Sequence, residues 1–260
     1  SQEQYLAVAK EAWTNAGNSL KTFPYQDNDY NSYSTTDTDW SKEYLGVGTN
    51  LYADLSLTSG TKKTSNYVTG SYYKTDNTVK SDSQQRFSFR TRNSYDFTKW
   101  LRFNAQLSAS YNTNNLFPLY RGFLETLPIF EPYLSDGSFR LYNKVYDEAS
   151  GGWVMRKFTK NEVPAREANT NTQRSVMTSA NFSVKAKIFD GLKFTSQYAI
   201  DYTHSHEDIY YSRTTLSGMD SAGNPKGSSR RADASYMNWT NVERLNYDKR
   251  FADRHNVSAY

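Results

Sequence analysis

Long segments of this chain alternate strictly between apolar and polar residues. Residues 101–111 read Leu-Arg-Phe-Asn-Ala-Gln-Leu-Ser-Ala-Ser-Tyr. Leu101, Phe103, Ala105, Leu107, Ala109 and Tyr111 fall on one side, and Arg102, Asn104, Gln106, Ser108 and Ser110 on the other. Successive side chains of a strand point to opposite faces, so such a segment is a ribbon with one greasy and one wet surface. Repeated in strands of about ten residues, this is the pattern of a β-barrel with lipid outside and water inside. The expected fold is all-β: an antiparallel transmembrane β-barrel segment of about eight strands, cut from a larger barrel and carrying long extracellular loops.

Composition agrees. Hydrophobic residues are 37% of 260 and the mean hydropathy is -0.85. That is lean for a soluble core but enough for a barrel, whose apolar surface is a thin outer band. The chain holds 22 Tyr, 14 Phe and 5 Trp. The net charge of +4 is small and the basic residues are scattered, so no nucleic-acid partner is expected. Without cysteine there is no disulfide framework. No apolar run approaches the ~18–20 residues of a transmembrane helix. Residues 1–20 lack the basic start and apolar stretch of a signal peptide. The last residues, Val257–Tyr260, read as the inside of a strand, so an internal piece of a longer protein is expected.

Residues 2–16 predict a short helix with Leu6, Ala9, Trp13 and Ala16 on one face, stopped by Gly17. Residues 18–46 read as irregular. Strands are predicted at about 48–58, 65–74, 84–95, 100–111, 173–188, 192–202 and 234–247, with an eighth from about 255. Two domains follow: an extracellular loop segment at 1–46 and an incomplete barrel at 47–260. Short connections alternate with longer ones, above all 112–172 and 203–232. Bacterial barrels have short periplasmic turns and long outer loops, so the first strand is expected to run inward from the cell surface. Tyr95, Phe97, Trp100, Phe189, Tyr247 and Phe251 lie at the short turns and suit an interfacial girdle; capping of a soluble core is the alternative.

Few residues suggest chemistry. His204 and His206 have a chelating spacing on one strand face, but they are read as a solvated strand end entering a loop, not as metal ligands. Asp220–Asn224 resembles a calcium loop but has Arg231 where the twelfth-position acid is required, so it is read as a turn. The pairs Asp27/Asp29 and Asp37/Asp39 lie in polar loop sequence. No catalytic residue, metal site or cofactor is expected, and the chain is not read as an enzyme. Arg86, Arg90, Arg92 and Arg102 belong to polar strand faces, and such charges are costly against lipid, so they are assigned to the lumen. There they meet a plug, an anionic solute or neighbouring strands. The loop 112–172 is dense in aromatics and far longer than an ordinary connection. Either it packs on itself or it binds something. Tyr120, Arg121, Tyr142 and Trp153 are its candidate contacts to a solute or a lid protein, because Tyr, Trp and Arg dominate binding hot spots.

Several stretches resemble a known family. Glu3-Gln4-Tyr5-Leu6, Glu11-Ala12 and Asn15-Ala16-Gly17 resemble an early surface segment of the SusC/RagA-type TonB-dependent transporters of Bacteroidetes outer membranes. Thr38-Asp39-Trp40 resembles that family's lead-in to the next strand, and Ser59-Gly60, Asn66-Tyr67-Val68 and Tyr72-Tyr73 resemble its first short hairpin. Gln85–Arg90 resembles its Arg-x-Ser/Thr-Phe-Arg strand, and Asn246–Phe251 with His255-Asn256-Val257 resembles a later turn. The hairpin's usual Gly-Gly is Ser59-Gly60 here. The resemblance implies a 22-stranded barrel, an N-terminal plug absent from this chain, and energy through TonB. It also implies a SusD-like surface lipoprotein as lid and import of oligosaccharides or peptides across the outer membrane. The rivals are a passive porin or adhesin barrel, and a soluble carbohydrate-binding β-sandwich whose apolar faces pack together.

Overall fold

The computed structural model describes residues 1–117, 122–252 and 254–260. Eight strands form one antiparallel sheet. They are β1 (Thr49–Gly60), β2 (Thr64–Asp76), β3 (Ser83–Asp96), β4 (Leu101–Asn115), β7 (Thr170–Phe189), β8 (Leu192–Tyr211), β9 (Ser228–Phe251) and β10 (His255–Ala259). Each pairs with its neighbour in the order given, and the sheet does not close on itself. A small hairpin of β5 (Tyr142–Asp147) and β6 (Gly152–Lys157) stands apart from it. The expected wall of consecutive strands is therefore present, and a second sheet packed on its apolar face, as a sandwich requires, is absent among the described residues.

Register carries the alternation across the whole wall. Phe103 lies opposite Val184, Ala105 opposite Phe182, and Leu107 opposite Ala180. The same face continues through Phe87 opposite Tyr111, Tyr72 opposite Phe87 and Ala53 opposite Tyr72. Directly opposed residues share a face, so one-residue slips would turn every apolar side chain inward. Aromatic pairs reinforce this face: Tyr72 and Phe87 lie 4.7 Å apart by ring centroids, and Phe103 stacks on Phe182 at 6.3 Å. The second strand's tyrosines divide, with Tyr72 outward and Tyr73 inward, where the Arg86 guanidinium lies 5.8 Å from the Tyr73 ring.

The turn at Asp190-Gly191 shows why that sequence is needed. Gly191 has φ +92, and a Cβ there would sit 3.0 Å from the Lys249 side chain and 3.1 Å from the Asp248 carbonyl. Glycine admits both the left-handed backbone and the close approach.

Two connections differ from expectation. The loop placed at 203–232 shrinks to 212–227, because β8 continues to Tyr211 and β9 begins at Ser228. A transmembrane strand needs ~9–11 residues, so β7 and β8, at 20 residues each, and β9, at 24, project well beyond the apolar band. His204 and His206 therefore lie within a strand, not at its end. Polar alternation beyond the band masked this extension: Arg174, His206 and Asp233 form one cross-strand row on the outward face, whereas the row of Ala180, Ile200 and Trp239 below it is apolar.

The loop over 116–169 is folded in its described residues, 116–117 and 122–169. It carries α3 (Gly122–Glu125), the β5–β6 hairpin and α4 (Val163–Ala168), and it packs on residues 1–46, which hold α1 (Gln2–Asn15) and α2 (Trp40–Tyr44). Leu6, Phe23, Tyr33 and Ile129 make one buried cluster, flanked by Ala9 and Trp13 of α1. Trp40, Tyr44, Phe158 and Val163 make a second. Ala16, placed on the apolar face of α1 by its spacing, is exposed. Thr38-Asp39-Trp40 leads into the single turn of α2, not directly into a strand: the Asp39 carboxylate accepts from the Ser41 N–H at 3.1 Å.

Candidate functional site

Two surfaces could meet a solute: the inward face of the wall and the loop assembly above it. The inward face is largely polar, interrupted by residues such as Met177, Ala199 and Val242. Arg86 lies opposite Asn112, Arg90 opposite Ser108, and Arg92 opposite Gln106. All share that face with Arg102, which lies opposite Lys185. Arg92 Nε donates to Gln106 Oε1 at 3.2 Å. Arg102 grips Asp96 through both Nε and Nη2, at 2.5 and 2.8 Å. Ser94, Asn104 and Ser183 form a hydrogen-bonded row across three strands, with steps of 2.9 and 3.0 Å. The structure thus brings the four predicted lumen arginines onto one surface. Lys185, Lys187 and Lys193, on alternate positions of the same face, extend its cationic character towards the short turns.

The loop assembly is locked by polar pins within its apolar clusters. Arg140 is almost fully buried: Nη1 donates to the Tyr30 carbonyl at 3.1 Å and to Asn31 Oδ1 at 2.7 Å, and Nη2 donates to Glu131 Oε2 at 2.8 Å. Asn31 in turn donates to the Lys144 carbonyl at 2.8 Å. Trp40 Nε1 donates to the Leu127 carbonyl at 3.0 Å. Apart from the local Arg140–Glu131 pair, these bonds cross between segments about a hundred residues apart, a pairing no local spacing announces. Burial raises the Tyr44 phenol to about 12, so its hydroxyl stays protonated.

The predicted contacts fare unevenly. Tyr120 and Arg121 lie outside the described residues. Tyr142 and Trp153 share a face of the β5–β6 hairpin but sit at opposite ends. The Tyr142 hydroxyl reaches Met219 Sδ at 3.7 Å, and Trp153 meets Tyr146 edge-on at 5.8 Å with 36% of its surface exposed. Self-packing explains other loop aromatics: Phe130 lies 5.0 Å from Phe158, and Tyr133 stacks on Phe139 at 6.0 Å.

The acid pairs do structural work. Asp27 accepts from the Ser34 N–H at 2.8 Å, Asp29 pairs with Lys144, Asp37 accepts from the Gln2 N–H at 2.8 Å, and Asp39 caps α2. Asp220 closes a turn onto the Asn224 N–H at 2.8 Å. His206 bridges Asp233 and Asp208 at 2.6 and 2.8 Å, and these two carboxylates, Asp233 foremost, raise its pKa. Among the described residues no group of three His, Cys, Asp or Glu side chains is placed to hold a metal.

One site had no sequence signal. A pocket of about 390 Å³ opens between α4, the ends of β7 and β8, and the 212–227 loop, with Glu162 and Asn171 in its lining. Glu162 Oε2 and Asn171 Oδ1 are buried without a hydrogen-bond partner. Burial raises the Glu162 carboxyl to about 7, with Lys160 opposing the shift.

No family profile matches the chain. Two curated relatives, both from Formosa agariphila, align with it. TonB-dependent receptor P3 is 23% identical over 240 residues, covering 85% of this chain and 22% of the receptor. TonB-dependent receptor P26 is 21% identical over 260 residues, covering all of this chain and 24% of the receptor. The chain therefore spans less than a quarter of the length of these relatives. Among solved structures, the RagAB peptide importer in its closed-closed state superposes with a TM-score of 0.67 at 18% identity, over 88% of this chain and 25% of that one. Its open-open state gives 0.66 at 18% identity, over 99% of this chain and 28% of that one. By strand order and two-faced register the chain is an antiparallel barrel-wall segment, similar in sequence to TonB-dependent receptors and in fold to the RagAB importer.

Proposed function

We propose that this segment forms part of the wall and outer vestibule of an active importer for oligopeptides or oligosaccharides. The importer draws energy through TonB and works with a SusD-like surface lipoprotein as lid. One observation carries the reading: a single continuous face of eight strands is polar and cationic, while the opposite face is apolar and suited to lipid. The relatives named as TonB-dependent receptors support the energy source. The superposition on a peptide importer supports the solute class. Tyr120, Arg121, Tyr142 and Trp153 are the proposed loop contacts to solute or lid, and Arg86, Arg90, Arg92 and Arg102 line the lumen. No catalytic step is assigned to the chain.

Uptake by cells carrying the full-length protein tests this. Labelled oligopeptides and oligosaccharides should enter with the inner membrane energised and stop when a protonophore collapses its potential. A tagged transporter should retain a surface lipoprotein on purification. Uptake indifferent to the protonophore would identify a passive porin instead. Alanine at all four loop positions should weaken uptake or lid retention with the barrel still folded.

A further inference from the structure

The pocket beside Glu162 has walls of one chemistry and a floor of another. Leu141, Pro164, Ile209, Tyr211 and Leu216 supply apolar surface. Asn171 and Ile209 are directly opposed in the β7–β8 ladder. Their positions continue the alternation of Gln173, Ser175 and Ser179, so the pocket opens on the side of the lumen wall. Its two unsatisfied polar atoms are both acceptors, a carboxylate oxygen and an amide oxygen. Burying a carboxylate without a donor is costly, and a native structure accepts such a cost where a donor arrives from elsewhere.

The usual partners of Glu162 are committed to other groups. Its side chain makes no capping bond to α4, although it stands at the helix start. Its own N–H donates to the Tyr44 hydroxyl at 2.8 Å. The nearby ammonium of Lys160 bonds Glu125. The Arg166 guanidinium is held by the Glu43 carbonyl and by Glu167, the latter at 2.9 Å. A ligand that fills the apolar walls and brings donors with positive charge to both acceptors completes the site. Lysine and arginine side chains have this form: an apolar stem ending in a cationic cluster of N–H groups.

We propose that this pocket is a subsite for the lysine or arginine side chain of an imported peptide, an inference that rests on the import reading above. The raised carboxyl of Glu162, at about 7, gives the subsite a pH signature. A cationic guest favours the ionised form, so its binding strengthens as pH rises through that value.

The test uses the full-length protein in detergent and two pentapeptides, Ala-Ala-Lys-Ala-Ala and its norleucine counterpart, which keeps the stem and lacks the charge. By calorimetry at pH 8 the lysyl peptide should bind about tenfold more tightly. That preference should fall several-fold at pH 6. The isosteric E162Q should abolish the preference at both pH values. Filling the cavity by A165F should weaken both peptides. Equal binding of the two peptides to the unaltered protein would overturn the subsite, as would a preference that survives E162Q, or binding of neither peptide. Uptake of a mixed peptide digest by cells separates the two readings. Digest uptake without lysyl preference rejects the subsite and keeps the importer. Lysyl preference without digest uptake keeps the subsite and rejects the importer.

Discussion

The strand wall and the loop assembly are stabilised against different solvents. In the wall, β1 is exposed at every position, and Leu55, Leu57, Phe87 and Trp239 stand open on its outward face. Among the described residues, Ala186 is the one buried hydrophobic residue in the wall; Leu6, Phe23, Tyr33, Trp40, Tyr44, Ile129, Phe158 and Val163 belong to the loop assembly. The wall satisfies its backbone through strand ladders and leaves its apolar surface to lipid, where a closed barrel needs no core of its own. The assembly buries side chains against one another and pins them with Arg140, as a small soluble domain does. One chain thus carries two stability mechanisms that should respond independently to mutation.

The largest separation should come from Trp40→Ala. Truncating this buried indole should cost about 3–5 kcal/mol, all of it in the loop assembly. Limited proteolysis of the full-length protein should show early cuts within 1–46 and 116–169, while the heat-modifiable gel mobility of the folded barrel persists. Loss of that mobility would mean that the wall depends on the assembly.

Leu107→Arg probes the other mechanism. A guanidinium in the outward band should cost roughly 2–4 kcal/mol near mid-membrane. Ser108→Arg, one residue on and facing inward, should be nearly neutral. Urea titrations of the protein folded into vesicles compare the two, and equal costs would dissolve the assignment of faces.

Arg140→Ala removes a buried pin and should cost about 1–3 kcal/mol, because it leaves Asn31 and Glu131 short of their donor. Its effect should again be confined to proteolysis of the assembly. Arg140→Lys should rescue it incompletely, since a point ammonium cannot reproduce the planar fork.

Glu162→Gln gives a smaller, pH-dependent effect. A carboxyl raised to about 7 on folding favours the folded state below its unfolded value near 4.5, and that contribution is lost as pH rises through about 7. Melting of the loop assembly should therefore fall between pH 5 and 8 in the unaltered protein and flatten in the variant. The smallest change should be Glu243→Leu. Glu243 lies opposite Ser196 on the outward face and accepts its hydroxyl hydrogen bond at 2.8 Å. Replacing this carboxylate should leave the stability of the wall unchanged or raise it by less than about 1 kcal/mol; a clear loss would show that it meets a protein partner, not lipid.

Period-two alternation in 84–111 and 173–202 makes the wall legible in the sequence alone. In a ribbon with one wet and one greasy face, each residue's side follows from its neighbours' parity, so Arg86, Arg90, Arg92 and Arg102 could be placed together without knowing what they touch. The same logic lost its purchase above the membrane band. There both faces of β8 and β9 are polar, and His204, His206 and Asp233 read as loop although the backbone ladder continues through them.

The core of the loop assembly was beyond reach for a further reason. Trp40 and Phe158 are isolated apolar residues in polar surroundings, and the meeting of Leu6 with Ile129 and of Trp40 with Phe158 depends on strands β1 to β4 returning the chain to the same end of the sheet. The pocket at Glu162 depends on that closure as well: a carboxylate in a run of charged and polar residues is unremarkable until α4 and the ends of β7 and β8 exclude water from around it. Facing within a strand is a local property of backbone geometry, so a one-dimensional pattern suffices to specify it. Burial of a side chain in a loop is a property of what arrives opposite it, and that is decided when the chain folds back in three dimensions.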